Sequence, residues 1–235
     1  MAEIFDISYI FQSIPLIAKA LPLTLSILLL SLFFGSILGL LLTALKVQKD
    51  RTLNSLANSY VAFIRGTPPL LQLFLVFYGL PQLVGSFGID INDWDKFVFA
   101  VITFSLNSSA FLSEIMRSAY LAVESGQWEA AFSIGMTNMQ TLLRIIIPQA
   151  FVIAIPNLGN LIISLLKETS YVFTIGMIDI LGKAKLIGAN GYGVRQLEVY
   201  IGAALIYWGI CILIERMIHF YEKKYNQQPL KNTDR

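Results

Sequence analysis

ALPLTLSILLLSLFFGSILGLLLTAL, residues 20–45, carries no charged side chain. A helix rises about 1.5 Å per residue, so this run crosses the roughly 30 Å of bilayer hydrocarbon. Hydrophobic residues make up 56% of the 235-residue chain and charged residues only 14%, too apolar a balance for a soluble core of this size. The stretch therefore assigns the chain to the all-α integral membrane class. Gly35 and Gly39 stand one helical turn apart within it, a spacing that allows a second helix to approach closely. The net charge of +2 gives no bulk attraction to nucleic acid.

Upstream, residues 1–19 are mixed and moderately amphipathic, and read equally as an interfacial helix or a disordered start. Glu3 and Asp6 occupy the place of a basic n-region, so no cleavable signal peptide is expected. Downstream, a basic loop (Lys46, Lys49, Arg51) leads into a second span over 54–80, interrupted by Arg65-Gly66-Thr67-Pro68-Pro69. The two prolines lack amide donors and clash with the preceding turn, so this helix should kink or break there. Broken backbone inside a membrane is tolerated where protein covers it or water fills the space beside it, which makes the bend a candidate site.

Residues 81–96 are polar and read as a loop. The third span covers 97–119, with Asn107, Ser108 and Ser109 in its middle. A polar connection over 120–144 precedes a fourth span at 145–166, bent at Pro156 and loosened by Gly159. A short helix is expected over 174–187, a turn over Gly188-Ala189-Asn190-Gly191-Tyr192-Gly193, and a fifth span over 197–218. Glu215, Arg216, Lys223 and Lys224 are read as a polar tail after the last apolar run, which His219 also follows. The chain is one transmembrane domain. Cys211 is the single cysteine, so no intramolecular disulfide forms.

Lysine and arginine placement sets orientation. With five spans, Lys46, Lys49, Arg51, Arg117, Arg144, Arg216, Lys223, Lys224, Lys231 and Arg235 share one side, and Lys19, Lys96, Lys183, Lys185 and Arg195 the other. The richer side is cytoplasmic, which puts the N-terminus outside and the C-terminus inside. The 120–144 connection then faces the cytoplasm. It holds a short helix at about 126–137, with Trp128, Ala131, Phe132, Gly135 and Met136 at helical spacing. One side of it is apolar and small, shaped to dock into a partner or to pack on its own protein.

Three blocks carry a family resemblance that spans nearly the whole chain. Glu129-Ala130-Ala131, then Gly135, then Ile145 and Pro148 resemble the EAA loop of ABC-importer permeases, with Ile147 where leucine is usual. Phe63-Ile64-Arg65-Gly66-Thr67-Pro68-Pro69-Leu70-Leu71-Gln72-Leu73-Phe74 resembles the signature of the polar amino acid permeases, with Pro69 in place of the usual leucine. Lys167-Glu168-Thr169-Ser170 is similar to the same family, and Leu106-Asn107-Ser108-Ser109-Ala110 most resembles its cystine-transporting members. The resemblance implies the type I importer permease fold and residence in the bacterial cytoplasmic membrane. It implies partners too: two ABC ATPase subunits, a second permease copy or paralogue, an extracytoplasmic solute-binding protein, and a polar amino acid as substrate. In this picture Glu129, Ala130, Ala131, Phe132 and Gly135 couple to the ATPase.

No catalytic set stands out, and no Gly-rich phosphate loop is present, since Gly182-Lys183-Ala184 lacks the required hydroxyl. The chain itself should bind no cofactor, with ATP and magnesium held by the partner ATPase. Ionisable groups at membrane depth cost about 2.5 kcal/mol or more, so Arg65, Glu114 and Glu168 are substrate candidates. An arginine fork suits an amino acid's carboxylate, and a glutamate its ammonium. With Thr67, Gln72, Asn107, Ser108 and Thr169 they form the expected substrate site. A structural ion pair, or snorkelling to the interface, is the competing reading for Arg65 and Glu168. A channel or ion-coupled carrier without an ATPase is the rival function, but neither a pore-charge ring nor an inverted repeat is visible. An intramembrane enzyme would need paired catalytic groups at depth.

Overall fold

The structure, a computed structural model, describes residues 5–48, 50–190 and 193–226. Residues 1–4, Lys49, Gly191, Tyr192, Lys231 and Arg235, invoked above, lie outside the described residues. All regular elements among the described residues are helical. Among the described residues four helices are long and apolar enough to cross a membrane, or five if the bent pair Arg51–Gly66 and Pro69–Gly85 is counted as one span.

The N-terminal segment that composition left open is an ordered helix, α1 (Ile7–Ala18). Asp6 caps it, accepting hydrogen bonds from the Ser8 hydroxyl at 2.7 Å and the Ser8 amide at 2.8 Å. These bonds hold the Asp6 carboxyl below the usual carboxylate range. The helix packs against two later elements, α10 (Ile180–Asn190) and α11 (Gln196–Asn226), with Ile17, Ile180, Val199 and Ala203 forming the shared core.

At the centre α2 (Leu21–Val47) lies along α6 (Lys96–Leu121). The two glycines of the opening stretch explain the contact. A Cβ on Gly35 would collide with Ser108 Oγ, and one on Gly39 would stand 2.9 Å from Leu112 Cβ. Gly35→Leu is therefore expected to wedge the helices apart and cost about 1–3 kcal/mol. Thermal unfolding of the detergent-solubilised protein checks this, and an unchanged midpoint would contradict the close seam.

Asp50 caps α3 (Arg51–Gly66), accepting from the amides of Thr52 and Leu53. The chain then turns by 108° into the run Pro69–Gly85. That run comprises α4 (Pro69–Phe74), a π-turn (Leu75–Gly79) and α5 (Leu80–Gly85). The helix thus continues past the expected start of the loop at 81, running through Pro81 to Gly85.

Beyond α6 come α7 (Gly126–Ser133) and α8 (Asn138–Thr141), then a π-turn (Leu142–Ile146) and α9 (Ile147–Glu168). The helix expected at 126–137 stops at Ser133, since Gly135 takes a left-handed φ of 80° and Thr137 with Gln140 starts α8 as a capping box. The fourth span is one part of a longer helical run, Asn138–Ile175. Both π-turns close two residues before a proline, Pro81 and Pro148. A proline cannot donate to the carbonyl four residues back, and the wider turn re-spaces the ladder around that gap.

After a 3-10 turn (Thr169–Ile175), Gly176 reverses the chain with φ 80°. The helix expected over 174–187 begins only at Ile180. Asp179 sets that start: its buried carboxylate accepts from the amides of Gly182 (2.8 Å) and Leu181 (3.2 Å) and from the Tyr207 hydroxyl (3.2 Å). The final helix α11 also outruns its expected 197–218, so Glu215, Arg216, Lys223 and Lys224 belong to a helix and not to a tail. Ile27, Leu28, Leu73, Phe104, Leu165, Leu166 and Val172 form the main core, joining α2, α4, α6, α9 and the 3-10 turn.

Candidate functional site

The 108° break between α3 and α4 frees backbone carbonyls that the prolines cannot serve. Gln72, only 5% exposed, takes them up. Its amide nitrogen donates to the Ile64 carbonyl at 2.7 Å, the Thr67 carbonyl at 3.0 Å and the Thr67 hydroxyl at 2.8 Å. Its oxygen accepts from Asn107 Nδ2 at 2.8 Å, and Asn107 is 2% exposed. Three expected site residues, Thr67, Gln72 and Asn107, are thus one network that pins the bend to α6. Beside it the exposed Arg65 guanidinium lies 5.7 Å from the centre of the Phe111 ring. Tyr60 adds a second tie to α6, donating to the Leu106 carbonyl at 2.9 Å and lying 3.0 Å from Ser109 Oγ.

The 3-10 turn packs on α4, which brings Glu168 and Thr169 to the same region. Thr169 is fully buried and donates to the Leu166 carbonyl at 2.7 Å. Glu168 is half-buried and makes no hydrogen bond or ion pair among the described residues.

Two of the expected residues stand apart. Ser108 is fully buried in the seam with α2, its hydroxyl 3.2 Å from the Ser31 carbonyl and 3.3 Å from that of Ser105. Glu114 lies about two turns along α6 from Asn107, towards α7. Its carboxylate pairs with Lys46 of α2 and with Arg117 at 3.0 Å. Lys46 is itself buried, and its carbonyl accepts from Asn54 at 2.7 Å. Sequence reading placed Lys46 in a loop, where nothing signalled a partner 68 residues away.

At that end of α6, α7 is held by Ala131, which is 1% exposed. Phe132 (44%) and Ile134 (76%) stand open beside it, and Glu129, Ala130 and Gly135 are also exposed. The Trp128 and Phe132 rings lie 5.8 Å apart. Gln127 adds a second tie, its side-chain oxygen accepting from Gln149 at 3.3 Å, while the apolar side chains of Phe132 and Ile134 stay uncovered.

The sequence family of binding-protein-dependent transport system inner membrane components matches residues 31–227. The chain belongs to that family. Similar relatives include two L-cystine transport system permease proteins of Bacillus subtilis (strain 168). One, TcyL, is 43% identical over 95% of this chain and 93% of its own length. The other, TcyB, is 42% identical over 92% and 89%. The crystal structure of an amino acid ABC transporter with histidines aligns at a TM-score of 0.81 and 34% identity, covering 94% of this chain and 99% of that one. The permease is thus a multi-pass, inner-membrane subunit of an amino acid ABC transporter. It is not the nucleotide-hydrolysing component, which is a separate subunit in such systems. Membership also implies a solute-binding protein as partner.

Proposed function

We propose that this permease imports L-cystine, with α7 as the cytoplasmic element that seats in a separate ATPase. The uncovered Phe132–Ile134 surface of α7 is the observation that carries the coupling role. Likeness to the two cystine permeases supports the substrate. Two ATPase subunits, holding ATP and magnesium, drive a pair of permeases, either two copies or a copy and a paralogue. ATPase closure moves α7 and, through it, the spans as largely rigid bodies. The N-terminus lies outside and the C-terminus inside, as the lysine and arginine distribution requires.

The substrate site is read at the bend. Arg65 offers a two-pronged contact to a carboxylate, and Glu168, which makes no ion pair among the described residues, suits an ammonium. Thr67, Gln72, Asn107 and Thr169 hold the backbone against which the solute rests. Ser108 and Glu114 support it from α6, the latter through its ion pairs. Reconstituted with its ATPase and binding protein, the permease should accumulate labelled cystine only when ATP is supplied inside. A panel of amino acids offered to the binding protein fixes specificity. Uphill uptake by the permease alone would overturn the assignment.

A further inference from the structure

We infer that Asn157, Asn160 and Ser164 of α9, with Glu215 of α11, line a water-filled passage for the polar solute, leading from Glu168 towards the α7 end. This rests on the substrate site proposed at Glu168 and extends it. The four α9 positions follow at intervals of three and four, so they share one face of the helix. Asn157, Asn160 and Ser164 are exposed, and their side chains make no hydrogen bond among the described residues.

Their depth excludes lipid. Leu165 and Leu166 are packed in the central core with Ile27 and Phe104. Asn157 lies about 12 Å from Leu165 along the axis and about 15 Å from the start of α9, well inside the span. An amide left unbonded in hydrocarbon costs roughly 2–7 kcal/mol, and this face carries two. Pro156 adds to the demand, because it withholds the amide that would serve the Val152 carbonyl.

A second observation comes from the facing helix. Between α9 and α11 lies a cleft of about 330 Å³, lined by Pro156, Asn160 and Glu215 among others. Water takes up about 30 Å³ per molecule, so the cleft holds several. Glu215 follows Ile214, which packs against the central core, and it is exposed and unpaired among the described residues. An ionisable group at that depth belongs beside water or a solute. Amides that both donate and accept, facing Glu215, His219 and Glu222 across the cleft, offer an amino acid weak successive contacts. Weak contacts let it leave again.

Cysteine accessibility tests this in membranes that hold the assembled transporter. Cys211 is the only native thiol, so Cys211→Ala gives a blank background. Asn157→Cys, Asn160→Cys and the near-isosteric Ser164→Cys are then exposed to a charged, membrane-impermeant methanethiosulfonate in inside-out vesicles. Each is expected to react about tenfold or more faster than Leu29→Cys, a lipid-facing control on α2. Reaction as slow as the control at all three positions overturns the passage. So does exclusion of reagent together with oxidative cross-linking of these cysteines to a second permease, which would make the face a dry seam. The readout needs neither ATP nor transport. A negative result therefore leaves the ATP-driven importer standing, and a failed uptake assay leaves the labelling intact.

Discussion

Gly135→Leu is expected to cut solute uptake about tenfold or more while ATP hydrolysis by the partner continues, a loss worth roughly 1.4 kcal/mol or more in coupling. The glycine sits at φ 80°, a conformation that costs an L side chain about 1–2 kcal/mol. A Cβ there meets nothing within 4 Å, so the substitution strains the backbone without a clash. The strain is relieved by re-aiming the chain between α7 and α8, which shifts the exposed Phe132 and Ile134 and leaves the packed spans intact. Gly135→Asn should keep most of the uptake, because asparagine tolerates the left-handed region. Parallel uptake and ATPase assays in proteoliposomes decide the matter. Undiminished uptake by Gly135→Leu would remove α7 from the coupling role.

The second large effect is expected at Gln72. Gln72→Leu keeps the bulk but strands the Ile64 carbonyl, the Thr67 carbonyl and the Asn107 amide. Hydrogen bonds between membrane helices average only about 0.6 kcal/mol in double-mutant cycles. A buried group left unsatisfied is a different matter, at about 1–3 kcal/mol each. The second magnitude governs at the Ile64 carbonyl and the Asn107 amide, whose bonds to Gln72 are buried. The variant should lose several kcal/mol, seen as a large drop in thermal midpoint in detergent, together with loss of uptake. Adding Asn107→Ala to Gln72→Leu should cost little more, because the two act through one bond. Additive losses would show that they stabilise the bend independently.

Much of this architecture is legible from periodicity and punctuation. Uncharged length sets the spans, and Pro68 and Pro69 set the break. Other features depend on what meets in space. The Lys46–Glu114–Arg117 cluster joins α2 to α6, and one of its members reads as a loop lysine in the sequence. Asp179 looks like any polar residue between apolar stretches, yet it is buried against Tyr207 and starts α10. The bend network shows both sides. Thr67, Gln72 and Asn107 are found by their polarity among apolar neighbours, but their mutual bonding follows from a 108° turn that proline content alone does not quantify.

The glycine seam between α2 and α6 has a mechanical consequence. Ser108 and Leu112 fill the notches at Gly35 and Gly39 like teeth on a splined shaft. Sliding by one residue, about 1.5 Å, would drive a tooth into bulk, and the next matching register lies about a full pitch, 5.4 Å, away. The two helices therefore travel as a single plank, and gating strokes fall to the elements hinged around it.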